Sequence, residues 1–352
     1  MLIEDDEVDK LEWPLERMWA LRDERLRALV AFARQHSSWH AGRLADVDLA
    51  RLDGERLGEL PVMDKGDLMA HWDQIATDPE LTLASASAGV SGYVVVTTGG
   101  SSGKPTVIAW DPDGWGRMAA AVVRAGMWFA RGGSGAPSRF VQATLGSRAE
   151  TSMSRRLTAF LANPVVETHE IAVRTPLAEI VERLNTIQPD GIFGYASAIA
   201  SLAGEALAGR LAVKPALIGV SSEPLLGPMA QLIHDAFGVE PSDTLAATEI
   251  GALAARTFPG AEGMRLTEDI AVYEVDADGM LLVTNVLNRA LPLIRYRIGD
   301  RVRIEPPSGD IPWTGRRIRL LPPAAAEPIA AALTAQPDIV ERGHQHTARP
   351  PG

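Results

Sequence analysis

Residues 94–108 read Val-Val-Val-Thr-Thr-Gly-Gly-Ser-Ser-Gly-Lys-Pro-Thr-Val-Ile. Two β-branched runs flank a segment crowded with glycine, hydroxyls and one lysine. A strand that breaks into such a loop turns several backbone N–H groups into one concavity, a geometry that suits phosphate oxygens. Gly99, Gly100 and Gly103 keep side chains out of an anion's path, Thr98, Ser101 and Ser102 add hydroxyl donors, and Lys104 adds a full positive charge. The run is not the phosphate loop of the ATPases. That loop would need glycine where Thr98 stands and a metal-binding hydroxyl where Pro105 follows Lys104. Taken alone, a solvated Gly/Ser loop is the competing reading.

Three other places carry groups capable of chemistry. Glu249, by itself, reads as a carboxylate in the first turn of a helix, and Asp300, in Ile298-Gly-Asp-Arg301, as a turn residue. Arg295 and Arg297 are two apart, so a strand would point both to one side, toward Asp300, a phosphate or other carboxylates. His36 and His40 have the spacing of two metal ligands on one helix face. No carboxylate or third histidine beside them completes a site, and a surface or helix-end role is the reading.

The elements that must position these groups follow from periodicity. Apolar residues at Leu11, Leu15, Met18, Leu26, Leu29 and Ala33 predict an amphipathic helix packed on the main body, its face interrupted by Arg22. Strands are expected at 93–97, 140–145, 165–173, 191–193, 216–220 and 243–247, with helices at 115–130, 151–161, 176–187, 196–207 and 224–237. This alternation points to mostly parallel sheets flanked by helices, an α/β fold. Residues 264–305 change character and predict a small β-rich subdomain around the Asp276-Ala-Asp-Gly279 turn.

Composition narrows the class. The chain has 352 residues, 46% of them hydrophobic, and no apolar run of membrane-spanning length. Its acidic N-terminus lacks the features of a signal peptide, so a cytoplasmic enzyme is expected. There are no cysteines, which excludes disulfides, a thiol nucleophile and a Cys-ligated zinc. A net charge of −11 argues against a nucleic-acid surface. The only lysines are Lys10, Lys65, Lys104 and Lys214.

The run Thr98–Val107 resembles the phosphate loop of adenylate-forming enzymes, in particular phenylacetate–CoA ligases and the related capsule-biosynthesis branch. Ser221-Ser-Glu-Pro-Leu225 resembles that family's adenine-side loop, and Asp243-Thr-Leu-Ala-Ala-Thr-Glu-Ile-Gly251 its Thr/Ser-Glu segment. Leu281–Asn285 through Pro292-Leu-Ile-Arg-Tyr-Arg-Ile-Gly-Asp300 resembles the ribose-binding block, and Leu60-Pro-Val-Met-Asp-Lys-Gly-Asp-Leu68 the start of the domain. The motifs fall in the family's order across roughly residues 55–305. The resemblance implies binding of ATP and Mg²⁺ and activation of an organic, by family aromatic, carboxylic acid as an acyl-adenylate. Residues 99–104 would grip the β- and γ-phosphates, with Lys104, Thr248 and Glu249 as the catalytic set. Glu249 would be the metal ligand, Thr248 would bond a phosphate oxygen, and Asp300 would accept from the ribose hydroxyls. Ser222, Glu223 and Pro224 would lie along adenine, and Arg297 beside the nucleotide.

Two departures shape the expectation. Where the family places an adenine-stacking tyrosine, Leu245 stands here. The family's mobile C-terminal lid, with its hinge carboxylate and lysine, is the second. Gly315-Arg-Arg-Ile-Arg319 has no Asp, residues 328–340 resemble only the lid's first elements, and Lys214 is the last lysine. The expected organisation is an N-terminal helical segment over 1–50, an adenylate-forming domain over 51–310, and a vestigial lid with a polar tail over 311–352. The acyl group would then pass to an amine, hydroxyl, thiol or partner, with a partner protein supplying the lid's role, rather than efficiently to CoA. A nucleotide- or acyl-adenylate-binding scaffold without turnover is the alternative.

Overall fold

Strand–helix alternation between residues 140 and 247 builds half of a sheet. In the computed structural model, the described residues are 5–89, 92–98, 105–132, 139–147, 149–162, 164–256, 263–307 and 315–321, with the backbone alone for 5–6, 125–132 and 252–256. Strands β3 (Phe140–Gly146), β4 (Val166–Ala172), β5 (Gly191–Tyr195), β6 (Leu217–Ser221) and β7 (Ser242–Ala247) pair in parallel, in the order β4-β3-β5-β6-β7. Their crossovers are helices α7 (Met153–Phe160), α8 (Leu177–Ile187), α9 (Ala196–Leu207) and α10 (Gly227–Phe237). One face of these strands buries Ala143, Leu145, Ile192, Ile218 and Val220 against Ile180, Leu184, Ile199, Leu202 and Ile233 of the helices.

Beyond β7 the sheet turns antiparallel. It runs through β8 (Gly251–Arg256), β9 (Met264–Leu266), β13 (Arg317–Leu320), β12 (Tyr296–Glu305), β11 (Met280–Asn285) and β10 (Ala271–Val275) to complete eleven strands. The β-rich character read over 264–305 is thus a continuation of the main sheet. Strand β13, within the stretch assigned to a vestigial lid, is also part of it; residues 322–352 lie outside the described residues. Strands β1 (Val94–Thr97) and β2 (Val107–Trp110) form a separate antiparallel hairpin. Helix α6 (Pro112–Gly132) follows directly, starting earlier than residue 115. Asp111 accepts from the Gly114 N–H at 2.8 Å, and Pro112 needs no N–H donor partner in the first turn.

The N-terminal helices α1 (Asp5–Asp9), α2 (Leu15–His36) and α3 (Ser38–Arg43) join α4 (Lys65–Ile75) and α5 (Leu83–Ser87) on the antiparallel half. Leu26, Leu29, Val30 and Ala33 of α2 share one core with Trp72, Val96, Ile108, Leu281, Val283 and Tyr296. Arg22, which seemed to interrupt that face, is buried and sits 2.8 Å from Asp23 and 3.7 Å from Glu268. Glu268 also takes three bonds from Arg316, two from the guanidinium at 2.8 and 3.2 Å and one from the backbone N–H at 3.1 Å, and one from the Trp19 indole at 3.2 Å. Beside it, Arg124 of α6 grips Asp269 with two bonds of 3.0 and 2.6 Å and reaches Glu7 at 3.1 Å. Burial alone would raise the Asp269 carboxyl, but Arg124 overrides it and holds the group below the usual range. Charge pairing therefore adds to apolar packing in docking this end of the chain.

His36 and His40 do not face a common ligand. Helix α2 ends at His36, whose ring stacks on Phe32, whereas His40 on α3 is fully buried and bonds the Pro292 carbonyl at 2.9 Å through Nε2. Burial pushes the His40 pKa down from 6.5 to about 3. The unfolded chain therefore binds a proton there that the folded chain refuses. The stability this site contributes is present above pH 6.5 and is lost as pH falls toward about 3. Asp243, raised by burial to about 6, works in the opposite sense on acidification. Urea midpoints measured from pH 7 to pH 4 should fall less steeply in His40→Gln than in the wild type. Parallel profiles would exclude His40 as the source.

Candidate functional site

The carboxyl ends of β5, β6 and β7 are aligned by their registers, Tyr195 opposite Ser221 and Ser221 opposite Thr244. Loops leaving these ends form the crevice in which open α/β sheets bind ligands. Ser222 follows β6 with a positive φ of 70°, a left-handed conformation uncommon for a non-glycine and one that re-aims the loop. Glu223 turns back and accepts the Ser197 N–H at 3.0 Å in the first turn of α9, while Pro224 is exposed. Leu245 is buried in β7.

Thr248 and Glu249 occupy the tight turn between β7 and β8, where Ala247 pairs with Gly251 and the Ile250 N–H donates to the Ala247 carbonyl. Gly251 has φ 97°, and an added Cβ would lie 2.5 Å from Met118 Cγ, so this position requires glycine. Asn285 at the end of β11 reaches the Glu249 carbonyl at 3.5 Å. Opposite, β12 carries a bulge. Leu282 pairs with Arg297 but Met280 with Arg301, which leaves Ile298, Gly299 and Asp300 facing Leu281 alone. Such a bulge re-aims side chains, and it sets Asp300 in the electrostatic field of Glu249. Burial raises both carboxyls above their usual range; at Glu249 the negative charge of Asp300 adds to the shift and Lys65 opposes it.

Lys65 arrives by a separate route. Met63 forms an isolated parallel bridge with Tyr296, the Met63 N–H donating to the Arg295 carbonyl at 3.0 Å and the Arg297 N–H to the Met63 carbonyl at 2.8 Å. Asp64 then caps α4 in a reciprocal pair with Asp67, and Lys65 is the helix's first residue. The start of α4 is thereby stitched to the strand that bears Asp300.

The solved structures decide the fold. A 2-hydroxyisobutyryl-CoA ligase in complex with 2-HIB-AMP and CoA, in the thioesterification state, superimposes with a TM-score of 0.71 at 19% identity, over 88% of this chain and 68% of that one. The same ligase in the postadenylation state gives 0.70 at 18%, over 88% and 68%. Its open conformation gives 0.68 at 18%, over 84% and 67%. The fold is that of an adenylate-forming ligase. No protein-family model and no curated protein matches the chain.

Within this adenylate-forming fold the anticipated residues divide. The charge of Asp300 reaches Glu249, beside which Thr248 stands in the same turn; Leu245 lies in β7, and Ser222 and Glu223 follow the neighbouring strand β6. At the mouth of the β1–β2 hairpin, the Thr98 hydroxyl accepts the Thr106 N–H at 2.9 Å and the Thr98 N–H donates to the Thr106 carbonyl at 3.0 Å. Gly99, Gly100, Ser101, Ser102, Gly103 and Lys104 lie outside the described residues. Arg297 points away, to Asp276 at 2.8 Å, and Arg295 to Glu274 at 3.0 Å. The alternation argument placed both arginines on one side; that side holds the β10 hairpin. Lys65 and Asn285 received no role from sequence. The signal for Lys65 was its rarity, one of four lysines, inside a segment already matched to the family. Among the described residues no group of three His, Cys, Asp or Glu side chains is arranged to hold a metal, and no helix is long and apolar enough to cross a membrane.

Proposed function

We propose that the chain activates a carboxylic acid with ATP and Mg²⁺, in the manner of phenylacetate–CoA ligases. The observation that carries this reading is the convergence of the Thr248–Glu249 turn, the Asp300 bulge and Lys65 at the carboxyl edge of an adenylate-forming fold. In the reaction, a carboxylate oxygen of the acid attacks the α-phosphorus of ATP. A P–O bond forms to give the acyl-adenylate, the α–β bridging bond breaks, and pyrophosphate leaves.

Glu249 suits magnesium, which takes one or two carboxylates and fills its remaining positions with phosphate oxygens and water, and the Thr248 hydroxyl would donate to a phosphate oxygen. A bound cation there supplies charge neutralisation for two approaching anions. Two half-buried carboxylates, each penalised by burial and with the charge of Asp300 adding to the penalty at Glu249, are a donor set that favours a cation beside them. Asp300 accepts from the ribose hydroxyls. Lys104 and the N–H groups of residues 99–104 hold the phosphates, and Ser222–Pro224 and Leu245 border adenine. Lys65 faces the acid and the α-phosphate. Phe193, whose ring lies over Gly219 so closely that a Cβ there would meet it at 2.5 Å, offers an aromatic wall for the acid. The acceptor is an amine, a hydroxyl, a thiol or a partner-bound group, and a partner protein completes the site. A cytoplasmic location fits these substrates.

Asp300→Ala should weaken ATP binding by about 1.5–3 kcal/mol while leaving free pyrophosphate binding unchanged, as read by calorimetry. Glu249→Gln should weaken the Mg²⁺ dependence. Pyrophosphate release across a panel of carboxylic acids, with and without amines and CoA, tests turnover directly. Tight ATP·Mg²⁺ binding with no release on any acid would leave the scaffold reading in its place.

A further inference from the structure

Arg295 has φ 53°, a left-handed backbone that a residue with a side chain adopts at a cost and keeps only where its surroundings over-determine it. In a regular antiparallel pair, a hydrogen-bonded residue exchanges its N–H and its C=O with one partner. At Arg295 the two part. The N–H donates to the Thr284 hydroxyl of β11 at 2.9 Å, and the carbonyl accepts from the Met63 N–H at 3.0 Å on the opposite edge. We propose that Arg295 is a positioning residue, which ties the segment leading into α4 to β12 and so sets where Lys65 stands. The proposal rests on the adenylation reading above, in which Lys65 faces the acid.

The guanidinium completes the tie. Its Nε and Nη2 take the two oxygens of Glu274 on β10, at 3.1 and 3.0 Å, a fork that fixes orientation as well as charge. Its Nη1 donates to the Gly58 carbonyl at 3.0 Å and to the Leu60 carbonyl. Arg43 of α3 grips the same joint through the Pro61 and Ile294 carbonyls. Gly58, Leu60 and Pro61 belong to no strand, so these two arginines supply donors that a ladder would otherwise provide. Strand β13 pairs with β12 only over 302–305, which leaves the edge at Tyr296 to Met63. Both of those residues are fully buried.

The joint lies between the groups proposed to act. Lys65 follows Met63 by two residues, with Asp64 fixed between them as the cap of α4. Asp300 follows Arg295 by five residues along β12. Lys65 already acts on the Glu249 carboxyl from this helix start. A slip of the 58–63 segment along β12 would therefore move the cation relative to both carboxylates. The charge of Arg295 is engaged by Glu274, so its influence on the reaction runs through placement rather than through contact with the substrate.

The test pairs two readouts on the full chain. Hydrogen exchange followed by mass spectrometry should be faster in Arg295→Gln across the peptides carrying the Met63 and Arg297 amides, with β3 to β7 protected as in the wild type. Single-turnover adenylate formation with an accepted acid should slow about 10²-fold, the scale of a misplacement of about 1 Å, with ATP·Mg²⁺ affinity unchanged. Arg295→Gln combined with Lys65→Gln should be no slower than Lys65→Gln alone, because losses that run through one group do not add. Arg295→Lys should recover little, since one ammonium cannot span a carboxylate and two carbonyls. Glu274→Gln, which loosens only the anchor, carries the same test should Arg295→Gln not fold. Unchanged exchange at the two amides overturns the proposal, as do additive losses in the double variant or full recovery in Arg295→Lys. A wild type that makes no adenylate with any acid removes the adenylation reading instead, and exchange alone then decides whether Arg295 holds the joint.

Discussion

Lys65→Gln should slow acyl-adenylate formation about 10²–10³-fold, the usual loss when one preorganised donor to a developing charge is removed. ATP·Mg²⁺ affinity should change much less, because the phosphates have their own loop. Lys65→Arg should recover part of the rate, since it restores charge but with a longer and planar group. Single-turnover measurement with an accepted acid reads all three. The expectation rests on where the cations lie. Arg295 and Arg297, the candidates nearest Asp300 in sequence, are tied to Glu274 and Asp276. Lys65 instead acts on Glu249, from a helix start bridged to β12. Equal single-turnover rates in wild type and Lys65→Gln would remove it from the reaction and return the question to Lys104 or a partner.

Arg124→Met should destabilise the fold by about 3–5 kcal/mol, because Asp269 would keep a buried charge without its main partner. Arg124 and Asp269 are both almost completely buried, with side-chain exposures of 2% and 1%. The double replacement Arg124→Met with Asp269→Leu should be markedly more stable than Arg124→Met alone, since removing both members of a buried pair costs far less than removing one. Urea unfolding of the two variants and the wild type measures this. A loss below about 1 kcal/mol in the single variant, the range of exposed pairs, would mean that water or Arg25 compensates Asp269.

Legibility from sequence followed the range of the interaction. The parallel half was readable because alternation is local: along β3, Val141, Ala143 and Leu145 are buried and the residues between them are not. The turn holding Glu249 was visible only through its motif, as nothing in Thr-Glu-Ile distinguishes a hairpin from a helix start. Strand β8, which makes that turn a hairpin, went unread because Gly251-Ala-Leu-Ala-Ala has no clear period. Arg22 looked like a defect in α2 because its partner Glu268 lies far along the chain. Arg297 was assigned to the nucleotide by proximity to Asp300, and a two-residue shift in strand pairing gave it Asp276 instead. Lys65 has the same cause: its neighbour Glu249 is set by a bridge between distant segments, and no window of sequence contains both.

The stitching of the first helices to β12 also sets an order of birth. His40 meets Pro292, 252 residues later, and Trp19 meets Glu268, 249 residues later. At about 5–20 residues per second, the ribosome needs roughly 10–50 s between emitting the two halves of such a contact. By the end of that interval β3 to β7 can already pair with one another, whereas the apolar face of α2 still lacks its β11 and β12 neighbours. The parallel half is therefore the early-folding unit on the nascent chain. The N-terminal helices wait beside it as the segment in need of a chaperone, and the start of α4 can meet β12 only when that wait ends.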